Sequence, residues 1–322
     1  MRRITELKRM EVFLVVSLCI AVLGVLVAFA GKDRGEKSAK QVAVYCGSEG
    51  ILSNTKPIQS HRSYCIKSNI KDIPFAPNTP ASYSFSIVDD QGITVRDFAV
   101  THTKRMHVIV VRKDLANFQH VHPEFDPKTG VFTLANLTLS TDGQYRIFAD
   151  FAPSGTQMDP NGQPLVVTIS EDVSIGKVVA SKFIGTEAAY KTFDGYAVEL
   201  LKDQSLVARK EAKLTFNITQ GDAPVTNLEE YLGALGHSVV LREGTLDFIH
   251  AHPLEDVSAK QNGIINFMVS FPQSGNYKIF TQFQRGGKIV TTDFVVSVAE
   301  GPTEQDATSV EGQVPNAGHM MH

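Results

Sequence analysis

Apolar and polar residues alternate with a period of two along most of this 322-residue chain. That is the signature of half-buried strands. From about Ser63 the runs read SYCIKS, SYSFSIV, HVIVV, GVFTLANLTL, YRIFADF and PLVVTI. From about Gly195 the same order returns as GYAVEL, KLTFNI, HSVVL, GIINFMVSF, YKIFTQF and KIVTTDFVVSV. The pattern predicts an all-β protein of two tandem sandwich modules, residues 63–173 and 194–299, with a joint at 174–193. Helical periodicity is scarce anywhere after residue 30.

The most repeated stretch is a hairpin. Residues 106–123 read MHVIVVRKDLANFQHVHP and residues 236–253 read GHSVVLREGTLDFIHAHP, aligned at an offset of 130. Each copy has an apolar run, a polar turn and a second run ending in His-x-His-Pro, which predicts an antiparallel hairpin. Turns centred near Asp114–Leu115 and Gly244–Thr245 would set His107 opposite His122 and His237 opposite His252. Strand alternation puts His120 and His250 on the same faces, so three imidazoles meet at the open end of each hairpin.

A second repeat lies before the penultimate strand of each module, in TDGQYRIF and QSGNYKIF. Glycine two residues ahead of a tyrosine that opens a strand resembles the tyrosine corner of immunoglobulin-like sandwiches. Ile147 and Ile279 stand where an antibody domain would carry its second cysteine. The expectation is therefore two disulfide-free Ig-like or cupredoxin-like sandwiches.

The ends of the chain read differently. Arg2, Arg3, Lys8 and Arg9 precede an apolar run from Val12 to Ala30, long enough to span a bilayer as a helix. Ala28-Phe29-Ala30 also makes an A-x-A cleavage site. Residues 1–30 are thus an N-terminal transmembrane helix acting as signal anchor, or a removed signal peptide. An anchor would hold the body on the extracytoplasmic face, and cleavage after Ala30 would secrete it. Residues 31–62 read as a linker and leading segment. Residues 300–322 lack an apolar pattern and predict a disordered tail.

Composition changes this picture little. Hydrophobic residues at 43% suffice for two cores, and a net charge of −3 gives no reason to propose a nucleic-acid partner. The cysteines beyond Cys19, Cys46 and Cys65, form an even pair in an exported chain, which favours a disulfide. A metal site that includes His61 is the other reading of that pair.

The chemistry lies in the histidines. Neutral imidazole is the commonest metal ligand, and three leave a coordination position open. The candidate ligands are His107, His120 and His122 in one module and His237, His250 and His252 in the other. Three imidazoles without a thiolate suit Cu(II), Zn(II) or Ni(II), whereas His319, Met320, Met321 and His322 in the tail offer softer donors for Cu(I). Met106 neighbours His107 but points to the opposite strand face, so a blue-copper site is disfavoured. Unperturbed imidazoles would release metal below about pH 6. Asp150 is set aside as a fourth ligand because its counterpart is Gln282, and His102 reads as a surface residue because Leu232 takes its place. No nucleophile triad, phosphate loop or repeated carboxylate pair suggests an enzyme.

The hairpin sequences, above all GH-x-VVL followed by F-x-HAHP, resemble a family of exported, membrane-tethered bacterial tandem β-sandwich proteins associated with heavy-metal binding and copper resistance. The resemblance covers roughly residues 80–300. It implies an Ig-like or cupredoxin-like fold, a bacterial source and metal handling; the expected cofactor is a copper or zinc ion, and the expected partners are the metal ion, the membrane and another envelope protein. The alternative function is a structural or adhesive tandem module whose histidines serve the core or hydrogen bonds.

Overall fold

A computed structural model describes residues 43–46, 63–156, 158, 162–177, 179–180, 184–254 and 259–301. For Ala43–Cys46, His250, His252, Ala259 and Lys260 the description is of the backbone. The expected N-terminal helix and the tail ligands His319, Met320, Met321 and His322 lie outside the described residues.

The first module contains β1 (Ala43–Cys46), β2 (Tyr64–Ser68), β3 (Ala81–Asp89), β4 (Phe98–Ala99) and β5 (His107–Arg112). It continues with β6 (Gln119–Val121), β7 (Glu124–Asp126), β8 (Val131–Leu137), β9 (Gly143–Pro153) and β10 (Val167–Ile175). They form two sheets, ordered β1-β2-β3-β8-β7 and β10-β9-β5-β6, with β4 paired to β9. The second module contains β11 (Tyr190–Phe193), β12 (Tyr196–Lys202), β13 (Glu211–Gln220), β14 (Ala223–Pro224) and β15 (Gly236–Arg242). After these come β16 (Phe248–Pro253), β17 (Ile264–Ser270), β18 (Gly275–Arg285) and β19 (Lys288–Val298). Its order is β11-β12-β13-β17-β16-β15-β18-β19, with β14 on β13. Helix among the described residues amounts to one four-residue turn at Ala259–Asn262 and a 3-10 turn at Ile70–Asp72.

Strand β13 shows how sequence becomes sandwich. Ala212, Leu214, Phe216 and Ile218 are buried in the second module's core while their neighbours face outward, as period-two patterning dictates. Strand β5 behaves otherwise: all six residues are buried. Val108 and Val110 fill the first module's own core. Ile109 and Val111 enter a further cluster with Leu115, Phe148, Val239, Leu241, Leu246, Phe248, Phe280 and Val295. That cluster draws on both modules. The unbroken runs VIVV and SVVL are therefore apolar on both faces because both faces are covered.

Contacts across this shared face are reciprocal. Phe118 stacks on Phe280 and Phe148 meets Phe248. Phe118 and Phe248 are repeat equivalents, as are Phe148 and Phe280, so the two pairs exchange under the repeat. A Cβ built on Gly233 would lie 3.3 Å from the Thr103 methyl, and those two positions are also equivalent. The modules thus meet through one patch used twice, the isologous geometry of a C2 dimer within one chain.

Both tyrosine corners form. The Tyr145 hydroxyl donates to Thr141 O at 2.9 Å and the Tyr277 hydroxyl to Gln273 O at 2.7 Å. The glycines that open these strands have φ of +131° and +132° at Gly143 and Gly275. A Cβ at either would press on the repeated arginine, 2.9 Å from Arg112 Cδ and 3.2 Å from Arg242 Nε. Arg112 is held there by Asp114, Thr141 and the Asp142 carbonyl, and Arg242 by Gln273 and the Ser274 carbonyl. The Arg repeat is thus a structural clamp over the corner.

Candidate metal centre

The hairpins have the register expected from sequence. Val108 pairs with Val121 and Ile109 with His120; Ser238 pairs with Ala251 and Val239 with His250. Continuing each ladder by one step sets His107 across from His122 and His237 across from His252. Immediately beyond, the second strand crosses between sheets. In the first module it breaks at His122–Pro123, with β6 on β5 and β7 on β8. In the second, β16 pairs with β15 and then with β17. Proline supplies no N–H to continue a ladder, so the His-x-His-Pro motif sits at this corner.

His107, His120 and His122 come together. Each offers one ring nitrogen, and the three atoms lie within 4.8 Å of one another. His107 Nδ1 is 3.1 Å from His120 Nε2 and 3.1 Å from His122 Nε2. Nitrogens bound at about 2.0–2.1 Å around a tetrahedral ion lie about 3.3–3.4 Å apart, so the two 3.1 Å pairs match ligand spacing while the 4.8 Å spread would have to close on an ion. His107 is buried, while His120 and His122 keep part of their surface open.

The outer nitrogens are also committed. His107 Nε2 is 3.0 Å from Thr101 O. A carbonyl only accepts, so Nε2 carries the proton and a neutral His107 points its Nδ1 lone pair inward. His120 Nδ1 is 2.8 Å from Gln282 Oε1, and Gln282 Nε2 donates to Thr291 Oγ1. With that assignment of the amide, neutral His120 points its Nε2 lone pair inward too. In these tautomers both inner nitrogens are acceptors, and His122 Nε2, 3.1 Å from His107 Nδ1, is placed to share the same point.

Burial pulls His122 down to about 3, helped by His107, Lys104 and His237. The same desolvation, with His107 and His122 next, holds His120 well below the usual imidazole range. Burial thus favours the neutral form of both rings.

In the second module, His237 is buried and its Nε2 lies 2.9 Å from Tyr231 O. Thr101 and Tyr231 are repeat equivalents, so the first histidine of each hairpin is oriented alike. The side chains of His250 and His252 lie outside the described residues, as do His61 and the tail donors. Met106 is buried in its own module's core, away from the imidazoles.

Two residues passed over in the sequence belong here. His102 is not a surface bystander: its ring stands 6.0 Å from that of His107 and 4.8 Å from that of His237. It sits in a tight turn with Thr103, both at positive φ, which is costly for a β-branched residue. Asp150 and Gln282 also share a place after all. Asp150 lies across from His107 and Gln282 across from His237, both buried. The repeat conserves a buried polar acceptor there without conserving its identity. A polar residue inside an aromatic strand was the available signal.

Fold and site together define a tandem β-sandwich protein with a three-histidine cluster at the face its modules share. The chain belongs to the family described as "Domain of unknown function (DUF8832)", matched over residues 64–161 and 191–300. No curated protein matches the sequence. Among solved structures it is similar to trypsin-activated alpha-2-macroglobulin from Escherichia coli, at 10% identity and a TM-score of 0.22. That alignment covers 70% of this chain and 15% of the macroglobulin. It is also similar to domains 4–9 of the surface layer protein SbsC, at 13% identity, TM-score 0.21, and 71% and 31% coverage. The D0-D1 domain of Intimin aligns at 12% identity, TM-score 0.19, and 70% and 95% coverage. Nothing about function is drawn from likenesses this distant. No helix among the described residues is long and apolar enough to cross a membrane.

Proposed function

We propose that this chain binds and buffers a transition-metal ion, copper ahead of zinc, on the extracytoplasmic side of a bacterial cell membrane. His107, His120 and His122 are the ligands in the first module, and His237, His250 and His252 are the related set in the second. The observation that carries the reading is the convergence of three ring nitrogens, with His107 Nδ1 3.1 Å from both His120 Nε2 and His122 Nε2. Three imidazole nitrogens converging on one point are the donor set a transition-metal ion takes. His107 and His120 also give their outer N–H to an oxygen, as metal-bound histidines do. Copper precedes zinc because Cu(II) outranks Zn(II) at nitrogen sites. The tail donors His319, Met320, Met321 and His322 would add capacity for Cu(I).

The envelope address rests on the basic, then apolar, amino-terminal run, as anchor or cleaved signal. A Cys46–Cys65 disulfide belongs to the same proposal, since the two residues are direct partners in the β1–β2 ladder. Another envelope protein is the natural recipient of a buffered ion.

A second reading has its own support. The 3.1 Å contacts also suit imidazoles sharing a proton, in a structural cluster that helps join two adhesive or load-bearing modules. Metal analysis separates the two. The full chain, loaded with Cu(II) or Zn(II) and dialysed, should retain at least one ion per molecule by elemental analysis. Retention of none, at neutral pH and without chelator, would favour the structural cluster.

A further inference from the structure

We propose that the second module is part of the first module's metal site, with Gln282 as the positioning residue that holds His120 in its ligating tautomer. The proposal rests on the metal-binding reading above. His120 and Gln282 are 162 residues apart, yet His120 Nδ1 lies 2.8 Å from Gln282 Oε1. An isolated imidazole exchanges freely between tautomers, and only the form with the proton on Nδ1 offers Nε2 to a metal. Gln282 selects that form.

Gln282 is itself fixed. It is buried in β18, opposite His237 in the ladder, and its Nε2 donates to Thr291 Oγ1 on β19. In this arrangement the amide oxygen faces His120 and the amide nitrogen faces Thr291. The shared apolar cluster and the Phe118–Phe280 stack hold β18 against the first hairpin. Gln282 therefore reaches His120 only when the modules are docked. Metal affinity and docking are then linked, and the linkage is reciprocal: bound metal favours the docked pair by the factor that docking favours metal. No such coupling arises in a tandem array of independent sandwiches.

The test uses the full chain, with Zn(II) alone as the probe. Gln282→Leu should bind Zn(II) about 10- to 100-fold more weakly at the first site, the usual effect of losing a hydrogen-bond partner behind a ligand. Gln282→Glu, which keeps an oxygen for His120 Nδ1–H, should bind as tightly as wild type or more tightly. A role confined to packing would weaken both variants alike. Nitrogen-15 NMR of the metal-free wild type needs no variant and should find the His120 proton on Nδ1. Wild-type affinity in Gln282→Leu, failure of Gln282→Glu to restore binding, or a proton on His120 Nε2 would each overturn the proposal. A wild-type chain that binds neither Zn(II) nor Cu(II) would remove the metal-binding reading itself. Binding by wild type with equal binding by Gln282→Leu removes this inference alone.

Discussion

Phe118 of the first hairpin stacks on Phe280 of the second module, with ring centroids 4.1 Å apart and planes 6° from parallel. Its repeat-related counterpart, Phe148 with Phe248, is tilted at 5.3 Å. The two modules are thus bound by a core of their own, and the histidine cluster lies along the same strand faces. The histidine cluster and the contact between modules share one surface.

That shared core makes a stability prediction. Phe280 is 4% exposed, whereas Ile289 is 45% exposed. Phe280→Ala should lower unfolding stability by roughly 3–5 kcal/mol, the usual cost of emptying a buried aromatic site. Ile289→Ala should change it by less than about 0.5 kcal/mol. Urea titration of the two variants checks this, and equally mild effects would contradict a shared core.

The first module also carries a buried acid. Ser68 and Tyr83 both donate to Glu171, yet burial dominates and pushes its carboxyl up to about 7. The folded protein then holds a proton that the unfolded chain has released, so stability from this group is present below about pH 4.5 and lost as pH rises through about 7. His122, pulled down to about 3, works oppositely. The unfolded chain takes up its proton first, so stability falls as pH drops from about 6.5 towards 3. Glu171→Gln mimics the protonated acid and should raise the melting temperature more at pH 8 than at pH 5. Calorimetry at both values decides it; an equal shift at both would show that the acid does not titrate in that window.

Cys46 and Cys65 sit directly across the β1–β2 ladder. In protein exported by its own signal they should be joined, adding roughly 3 kcal/mol in the chain-entropy model for a loop of this length. Peptide mapping without reductant should recover the linked fragment. Two free thiols there would rule the bridge out.

Much of the site was legible in the chain. Period-two runs and the length of the turn set the hairpin register, and with it the meeting of His107, His120 and His122. The Gly-x-Tyr repeats led to tyrosine corners because that turn chemistry is local. What escaped depends on distant partners. His120 meets Gln282 only because two modules dock, and no spacing within a hairpin encodes that contact. A clue was present in VIVV and SVVL: a sandwich strand with one wet face alternates, and these do not. His102 was misplaced for the same reason, since its neighbour His237 belongs to the other module.

The central claim is that the convergent imidazoles exist to hold a metal ion. The most direct measurement is a Cu(II) and Zn(II) titration of the full chain beside the His120→Ala/His122→Ala double variant, with melting temperatures recorded with and without chelator. If the imidazoles hold a metal ion, the double variant loses the first module's stoichiometric site. Metal should then raise the melting temperature of wild type, and chelator should abolish the rise. A double variant that melts far lower whether or not metal is present, beside a wild type indifferent to metal, would contradict it.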